Sequence, residues 1–402
     1  VNTGIALGGA IIAPNVVLAQ TGSRKPLKKV RIGIVGGGFG NGMAWHRHPD
    51  CVVQAVSDLR EDRRNALVQH YQCSNAYNSL EELIKDPNVD AVAVFTEAPN
   101  HVKHALECFK AGKHVVSAVP AATSLEDAER LRDAVQKSGL TYMMFETSYY
   151  RQGTISARKF YKEGKFGKLF YTEAEYFHPN PPGFISPLWH DPQGKRTWRY
   201  ALPPMWYPTH ATAFLVGVTG ERLVSVMCLG FNDGTEPYQN NSYKNPFGSQ
   251  VALFKTNRAN ILRVGQIWRG AVRGTERAEW YGNKFSFFME HPNGMGPVIV
   301  RTSGQIEKDD GGFERQMSEF EQYDQPMWWK TEMLPEPLRQ DSGHGGSHNF
   351  LVHEFVDALV KGRKPAIDVY EALAYTVPGI IAHQSSMKGG QQMRVPSFDP
   401  SA

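Results

Sequence analysis

The sequence is poor in cysteine, in charge of one sign and in long apolar runs, and each scarcity closes off a class of protein. Four cysteines occur in 402 residues: Cys51, Cys73, Cys108 and Cys228. They are widely spaced and form no C-x-x-C pair, so neither a disulfide framework nor a zinc site is expected; the thiols read as buried side chains, and no metal is assigned. Forty-four basic residues stand against 40 acidic ones, a formal charge of +4 without a basic arm or run. A nucleic-acid partner is therefore not expected. No Ser, Gln or acidic tract points to disorder.

The one sustained apolar stretch, Gly4 to Ala19, is rich in small residues and ends in Val17-Leu18-Ala19. It reads as an export signal with a cleavage site, which places the protein in the periplasm, with the twin-arginine route expected for an enzyme that folds around a nucleotide. It is too short and too broken by glycine to span a membrane well, so stable membrane insertion is not expected.

With 41% hydrophobic and 21% charged residues, the chain has an ordinary globular composition and enough length for two cores. The expected divisions are residues 1–28 (signal and linker), 29–149 (nucleotide-binding domain), 150–342 (substrate and oligomerisation domain) and 343–402 (a C-terminal helix and tail packing back on the first domain).

In the first half, short apolar runs alternate with helix-compatible stretches. Val30–Val35, Val52–Ser57, Ala91–Phe95, His114–Ser117 and Thr141–Phe145 read as strands. Arg60–Tyr71, Ser79–Lys85, His101–Ala111 and Ser124–Ser138 read as helices, the last with Ser124 and Asp127 near a capping box. The alternation implies an α/β fold whose N-terminal domain is a doubly wound parallel sheet of Rossmann type.

The first strand runs into Gly36-Gly37-Gly38-Phe39-Gly40-Asn41-Gly42. Gly36 and Gly38 meet the G-x-G-x-x-G spacing, and Asn41 takes the third glycine position. Such a turn before a helix lets backbone N–H groups approach a pyrophosphate, with Phe39 and Gly40 inside the same bend. Asp58 ends the second strand, 22 residues beyond Gly36, where a carboxylate accepts the ribose hydroxyls and repels a 2′-phosphate. NAD is therefore the expected cofactor, with Arg60 close enough to keep NADP in view.

Thr96-Glu97-Ala98-Pro99-Asn100-His101 and Gly112 through Pro120 resemble the Gfo/Idh/MocA family, the glucose–fructose oxidoreductase and inositol dehydrogenase group. So do Met143 through Tyr150, Trp206 through His210, Gly343 through His348, Gly362 through Asp368 and Pro378-Gly379-Ile380. The resemblance implies a second α+β domain with a large, mostly antiparallel open sheet that is also the usual subunit contact, hence a homo-oligomer. It also implies that Thr96, Pro99, Asn100, His101, Ala118, Val119 and Glu146 join the nucleotide site. Typical members carry Glu-Lys-Pro after the fourth strand, with a lysine that acts on the substrate hydroxyl; this chain has Ala118-Val119-Pro120, so either simple alcohol oxidation uses another base or the chain is of a branch with different chemistry.

From Tyr150 the composition shifts to aromatics, prolines and glycines, which suits a carbohydrate cleft. Leu223–Leu229, Gln250–Lys255, Ile261–Trp268, Arg277–Tyr281 and Lys284–Glu290 read as strands of the second sheet. Tyr176-x-His178 and Tyr207-x-x-His210 resemble pairs found in the NAD-dependent N-acetylgalactosaminidases, a glycosidase branch of this fold, and His210 opening a helix would turn Tyr207 and His210 to one cleft. These four residues are the catalytic candidates. The resemblance implies a glycoside hydrolase acting by transient oxidation at sugar C3, elimination, water addition and re-reduction. No paired carboxylates suggest the ordinary two-carboxylate route. A net sugar or polyol dehydrogenase and a non-catalytic nucleotide or sugar sensor are the alternatives. Gly343-His344-Gly345-Gly346-Ser347-His348 leads into an amphipathic run, His348 to Val360, and is expected to line the same cleft.

Overall fold

A computed structural model describes residues 26–180, 188–191, 193–232, 234–270 and 272–400. The expected export signal lies outside the described residues.

Six strands, β1 (Val30–Val35), β2 (Cys51–Ser57), β3 (Ala76–Tyr77), β4 (Ala91–Val94), β5 (His114–Ser117) and β6 (Tyr142–Met144), form a parallel sheet in the order β3-β2-β1-β4-β5-β6. Ile32, Ile34, Val92, Val94, Val115 and Val116 are fully buried, as expected of strands covered on both faces. This is the doubly wound dinucleotide-binding order, in which ligands sit beyond the carboxyl ends of the strands where the order reverses, here between β1 and β4. The crossover helices are α1 (Glu61–Tyr71), α2 (His101–Lys110) and α3 (Leu125–Ser138). Ser124 caps α3, its Oγ accepting the Asp127 N–H at 3.1 Å. The helix expected after the glycine turn is a single turn, Gly37–Gly40. Asn41-Gly42 ends it, and a short 3-10 turn, Trp45–Arg47, follows.

The second domain begins with α4 (Gln152–Lys162) and β7 (Leu169–Asn180), followed by α5 (Thr209–Thr219). Strands β8 (Leu223–Phe231), β9 (Ser249–Thr256), β10 (Ile261–Arg269), β11 (Thr275–Gly282), β12 (Phe285–Phe288), β13 (Val298–Lys308) and β14 (Glu314–Gln322) complete the large sheet with β15 (Met393–Arg394). Their order is β14-β13-β12-β11-β7-β10-β9-β8-β15, antiparallel throughout except where β7 pairs with β10. One face of this sheet covers α5, an apolar helix buried on nearly every side; Trp280 Nε1 on β11 donates to the Phe214 carbonyl of α5 at 2.9 Å.

Two C-terminal helices, α6 (Ser347–Lys361) and α7 (Val369–Met387), join the domains. On α6, Phe355 packs edge-on against Trp45 and Phe350 stacks on Tyr150. Along α7, Thr376 Oγ1 accepts the Ala121 N–H of the first domain and Ser385 Oγ accepts the Cys228 N–H of β8. A Cβ at Gly379 would stand 2.1 Å from the Met205 carbonyl, so only glycine lets α7 back directly onto the segment leading into α5. Among the described residues, no helix is long and apolar enough to cross a membrane.

Candidate active site

The glycine turn is built for an anionic ligand. Gly36 has φ +101°, and a Cβ there would lie 2.2 Å from the Phe95 carbonyl oxygen of the neighbouring strand end. Asp58 closes the turn, accepting the Gly37 N–H at 2.7 Å and the Arg60 N–H at 2.8 Å. The Gly38 and Phe39 N–H groups open the first turn and have no acceptor among the described residues, as first-turn donors do. Asn41 ends the turn with a buried Oδ1 that has no partner. A Cβ at Gly40 would meet Ile34 and Phe95. Donors on one side and a carboxylate at the end of β2 on the other suit a dinucleotide. The Arg60 guanidinium is engaged by Asp62, while the Arg64 guanidinium donates to the Asp58 backbone carbonyl at 2.8 Å and keeps a cation beside the turn.

The remaining nucleotide-side candidates line the switch point. Thr96 follows β4, and Pro99 and Asn100 lie in a 3-10 turn before α2. His101 is buried; Nδ1 faces the Pro120 carbonyl at 2.8 Å and Nε2 the Thr96 carbonyl at 3.1 Å. Its ring thus braces the loops that carry Thr96 and Val119. Ala118 donates to the Val94 carbonyl at 3.0 Å, and Val119 is buried.

Glu146, just beyond β6, connects this half to the other. It is fully buried; its Oε1 accepts the Ser148 N–H at 2.8 Å and lies 2.8 Å from His210 Nδ1, the second residue of α5. Around the His210 ring stand Tyr176 at 4.6 Å, Tyr207 at 5.4 Å and His344 at 6.4 Å between centroids. His178 follows 6.0 Å from Tyr176. All four catalytic candidates therefore share one cluster. Tyr176 and His178 also line a small open pocket together with Trp189, Arg199, Tyr238 and Trp268.

Several members escaped local sequence reading. Glu276 on β11 pairs in register with Tyr176 on β7. It lies 3.8 Å from His210 Nδ1, accepts the Ser148 hydroxyl at 2.5 Å, and is spanned by both arms of Arg151. No periodicity distinguishes Glu276 from the other charged residues of β11; only strand pairing brings it here. Arg199, over the Tyr207 ring at 5.4 Å, sits in an aromatic loop whose composition indicated a cleft without marking a residue.

These contacts set different proton affinities. Burial opposes a charge on His210, but Glu146 and Glu276 outweigh it and raise its pKa. Burial likewise opposes ionised Glu276, yet Arg151 and His210 hold it well below the usual carboxylate range. Burial, reinforced by Arg199, lowers His178, while burial and the neighbouring Tyr207 raise Tyr176 well above an ordinary phenol. The cluster thus combines an imidazole biased toward its protonated form, one biased toward the neutral form and a phenol held protonated. Glu146, His210 and Glu276 each bring one ligand atom within 4.8 Å of the others. Arg151 pairs with Glu276, and both carboxylates favour a proton on His210, which suits an acid–base group.

The first domain, with its strand order and glycine turn, is an NAD-binding Rossmann domain, and the molecule is an NAD-dependent enzyme. Residues 30–146 match the oxidoreductase family with an NAD-binding Rossmann fold, and residues 299–402 match the glycosyl hydrolase 109 C-terminal domain. Both matches are consistent with the Gfo/Idh/MocA family. The chain is similar to a glycosyl hydrolase family 109 protein of Streptomyces coelicolor, 23% identical over 98% of this chain and 91% of the relative. A family 109 protein of Solibacter usitatus is 24% identical over 94% and 90%. Among solved structures, the fold is similar to levoglucosan dehydrogenase in complex with NADH and levoglucosan, with TM-score 0.71, 17% identity, and coverage of 92% of this chain and all of the other. A probable dehydrogenase from Thermotoga maritima gives TM-score 0.66 at 19% identity, covering 91% and 98%.

Proposed function

We propose that the protein is an exported NAD-dependent glycoside hydrolase that oxidises its sugar transiently. The observation that carries this reading is the Glu146–His210 pair, 2.8 Å apart, walled by Tyr176, His178 and Tyr207 beside a nucleotide turn. The bound nicotinamide supplies reversible hydride transfer at sugar C3, which makes the C2 proton acidic. His178, a neutral imidazole, takes the C2 proton. His210, with Nδ1 committed to Glu146, has Nε2 available to protonate the departing C1 oxygen, and the Tyr176 phenol supplies a further donor. The aromatic walls, with Arg199 at one side, orient the ring and exclude water until elimination is complete. The family 109 relatives support hydrolysis.

The test uses catalytic NAD⁺ and a panel of 4-nitrophenyl glycosides. Release of nitrophenol without accumulating NADH, with solvent deuterium entering C2, is the expected result. NADH accumulating from free sugars without nitrophenol release would make the enzyme a net dehydrogenase instead.

We also propose a homo-oligomer that buries the outer face of the large sheet. Met227, Leu229 and Phe231 on β8 and Val251 and Leu253 on β9 form a contiguous exposed apolar patch of the kind that marks subunit contacts. The export assignment rests on the apolar Gly4–Ala19 stretch.

A further inference from the structure

The elimination just described needs a third proton transfer, at the hydroxyl of the carbon that gives up hydride. Resting on that reading, we infer that His344 is a second acid–base group of the cleft, an imidazole that takes this hydroxyl proton.

His344 lies at the seam between the two halves of the site. Its ring is nearly parallel to that of His210, 16° apart at 6.4 Å, and meets Phe39 of the glycine turn edge-on at the same 6.4 Å. His210 is almost closed off from solvent, whereas His344 is half-buried and can be reached from the cleft. The residue stands at φ +56°, a left-handed conformation uncommon outside glycine and most accessible to Asn, Asp and His among the rest.

The second imidazole of the run decides which nitrogen is available. His344 Nδ1 lies 2.8 Å from His348 Nε2. His348 is buried, and the Gly42 carbonyl favours a proton on its ring, although no well-formed hydrogen bond joins Nδ1 to that carbonyl. The acceptor role in this contact is assigned to His348 Nε2, so that His344 Nδ1–H donates to it and His344 Nε2 carries the lone pair. The charged and titratable groups facing His344 are Glu276, His210, Arg151, Glu146 and His348. Burial is the leading influence and keeps its pKa low, while the carboxylates beside His210 raise that of the stacked ring. Two parallel imidazoles are thus driven apart, one toward the acid and one toward the base.

In the step assigned to it, the sugar O–H bond breaks and its proton passes to His344 Nε2. The C–H electron pair leaves as hydride, so the carbon is oxidised to a ketone and the nicotinamide is reduced. Both transfers reverse when the hydride returns.

Glycine is the favoured residue at φ +56°, so His344→Gly removes the imidazole while preserving the fold. With the full-length chain and a 4-nitrophenyl glycoside cleaved by the parent, His344→Gly is expected to bind NAD⁺ normally and lose about 10²–10⁴-fold in turnover. Added imidazole should restore part of it, following the neutral imidazole fraction. Turnover equal to the parent's overturns the inference. Histidine-selective ¹⁵N NMR of the parent, with His344→Gly and His348→Gln for assignment, provides a substrate-independent arm. At pH 7, His344 is expected to be the neutral Nδ1–H tautomer; finding it charged, or as the Nε2–H tautomer, overturns the inference as well. A parent that cleaves no glycoside counts against the hydrolase reading alone, because the NMR arm still decides the state of His344.

Discussion

Oε1 of Glu146 is shared between the Ser148 N–H and His210 Nδ1, each at 2.8 Å, so one carboxylate oxygen both caps the turn after β6 and holds the imidazole. Replacing that carboxylate with an amide keeps the shape and removes the charge. In Glu146→Gln, the pKa of His210 should fall, and the alkaline limb of the kcat profile should move to lower pH with roughly 10²-fold loss near pH 8. An alkaline limb that does not move would separate Glu146 from the acid.

Asp58 presents a second separable term. Its two oxygens hold the Gly37 and Arg60 N–H groups, so Asp58→Ala loosens the nucleotide turn and removes the expected ribose acceptor together. NAD⁺ affinity, measured by calorimetry, should drop about 10–100-fold, the equivalent of one charged hydrogen bond, and NADP⁺ affinity should change less. Equal losses for both nucleotides would contradict the ribose assignment.

At Gly36 the backbone itself is the constraint. A methyl group 2.2 Å from the Phe95 carbonyl oxygen at φ +101° costs about 1–3 kcal/mol from the unfavourable conformation alone. Gly36→Ala should lower the thermal midpoint without nucleotide, and NAD⁺ should raise it less than in the parent. Differential scanning fluorimetry reads both.

Acid should unfold the protein earlier than its carboxylates alone would dictate. Burial lowers His48, His348 and His383 from 6.5 to about 4. The unfolded chain therefore takes up protons at these positions that the folded chain refuses. Each contributes stability that is present above pH 6.5 and is lost as pH falls toward 4, at most about 3 kcal/mol per residue. His210 has the opposite sign: its raised pKa contributes below 6.5 and is lost as pH rises through the folded value. Urea midpoints at pH 7, 6 and 5 should fall in that order, and in His383→Gln the slope should be shallower.

Much of the first domain was legible because parallel strands buried on both faces leave unbroken apolar runs; Val30–Val35 and His114–Ser117 keep their expected bounds. The two-residue β3 offers too few side chains to register. β14 (Glu314–Gln322), exposed almost throughout, lacks the alternation that marks a half-buried strand. Tyr176, His178, Tyr207 and His210 were readable as short spaced pairs. Glu276 and Arg151 were not, since 125 positions separate them and neither has a local partner that signals a site. His344 lay in a visible glycine run, but its stacking on His210 belongs to the tertiary fold.

Strand β7 carries Tyr176 and His178, yet both of its neighbours, β10 and β11, come from Ile261 onward. During synthesis the six strands of the nucleotide domain are made long before the strands that flank Tyr176, and loop closure over such spans is slow. A chain stopped ahead of Thr275 would possess the glycine turn but neither Glu276 nor His344. The glycine turn is thus made before the groups that would move a proton, and the C-terminal helices that brace it arrive together with His344.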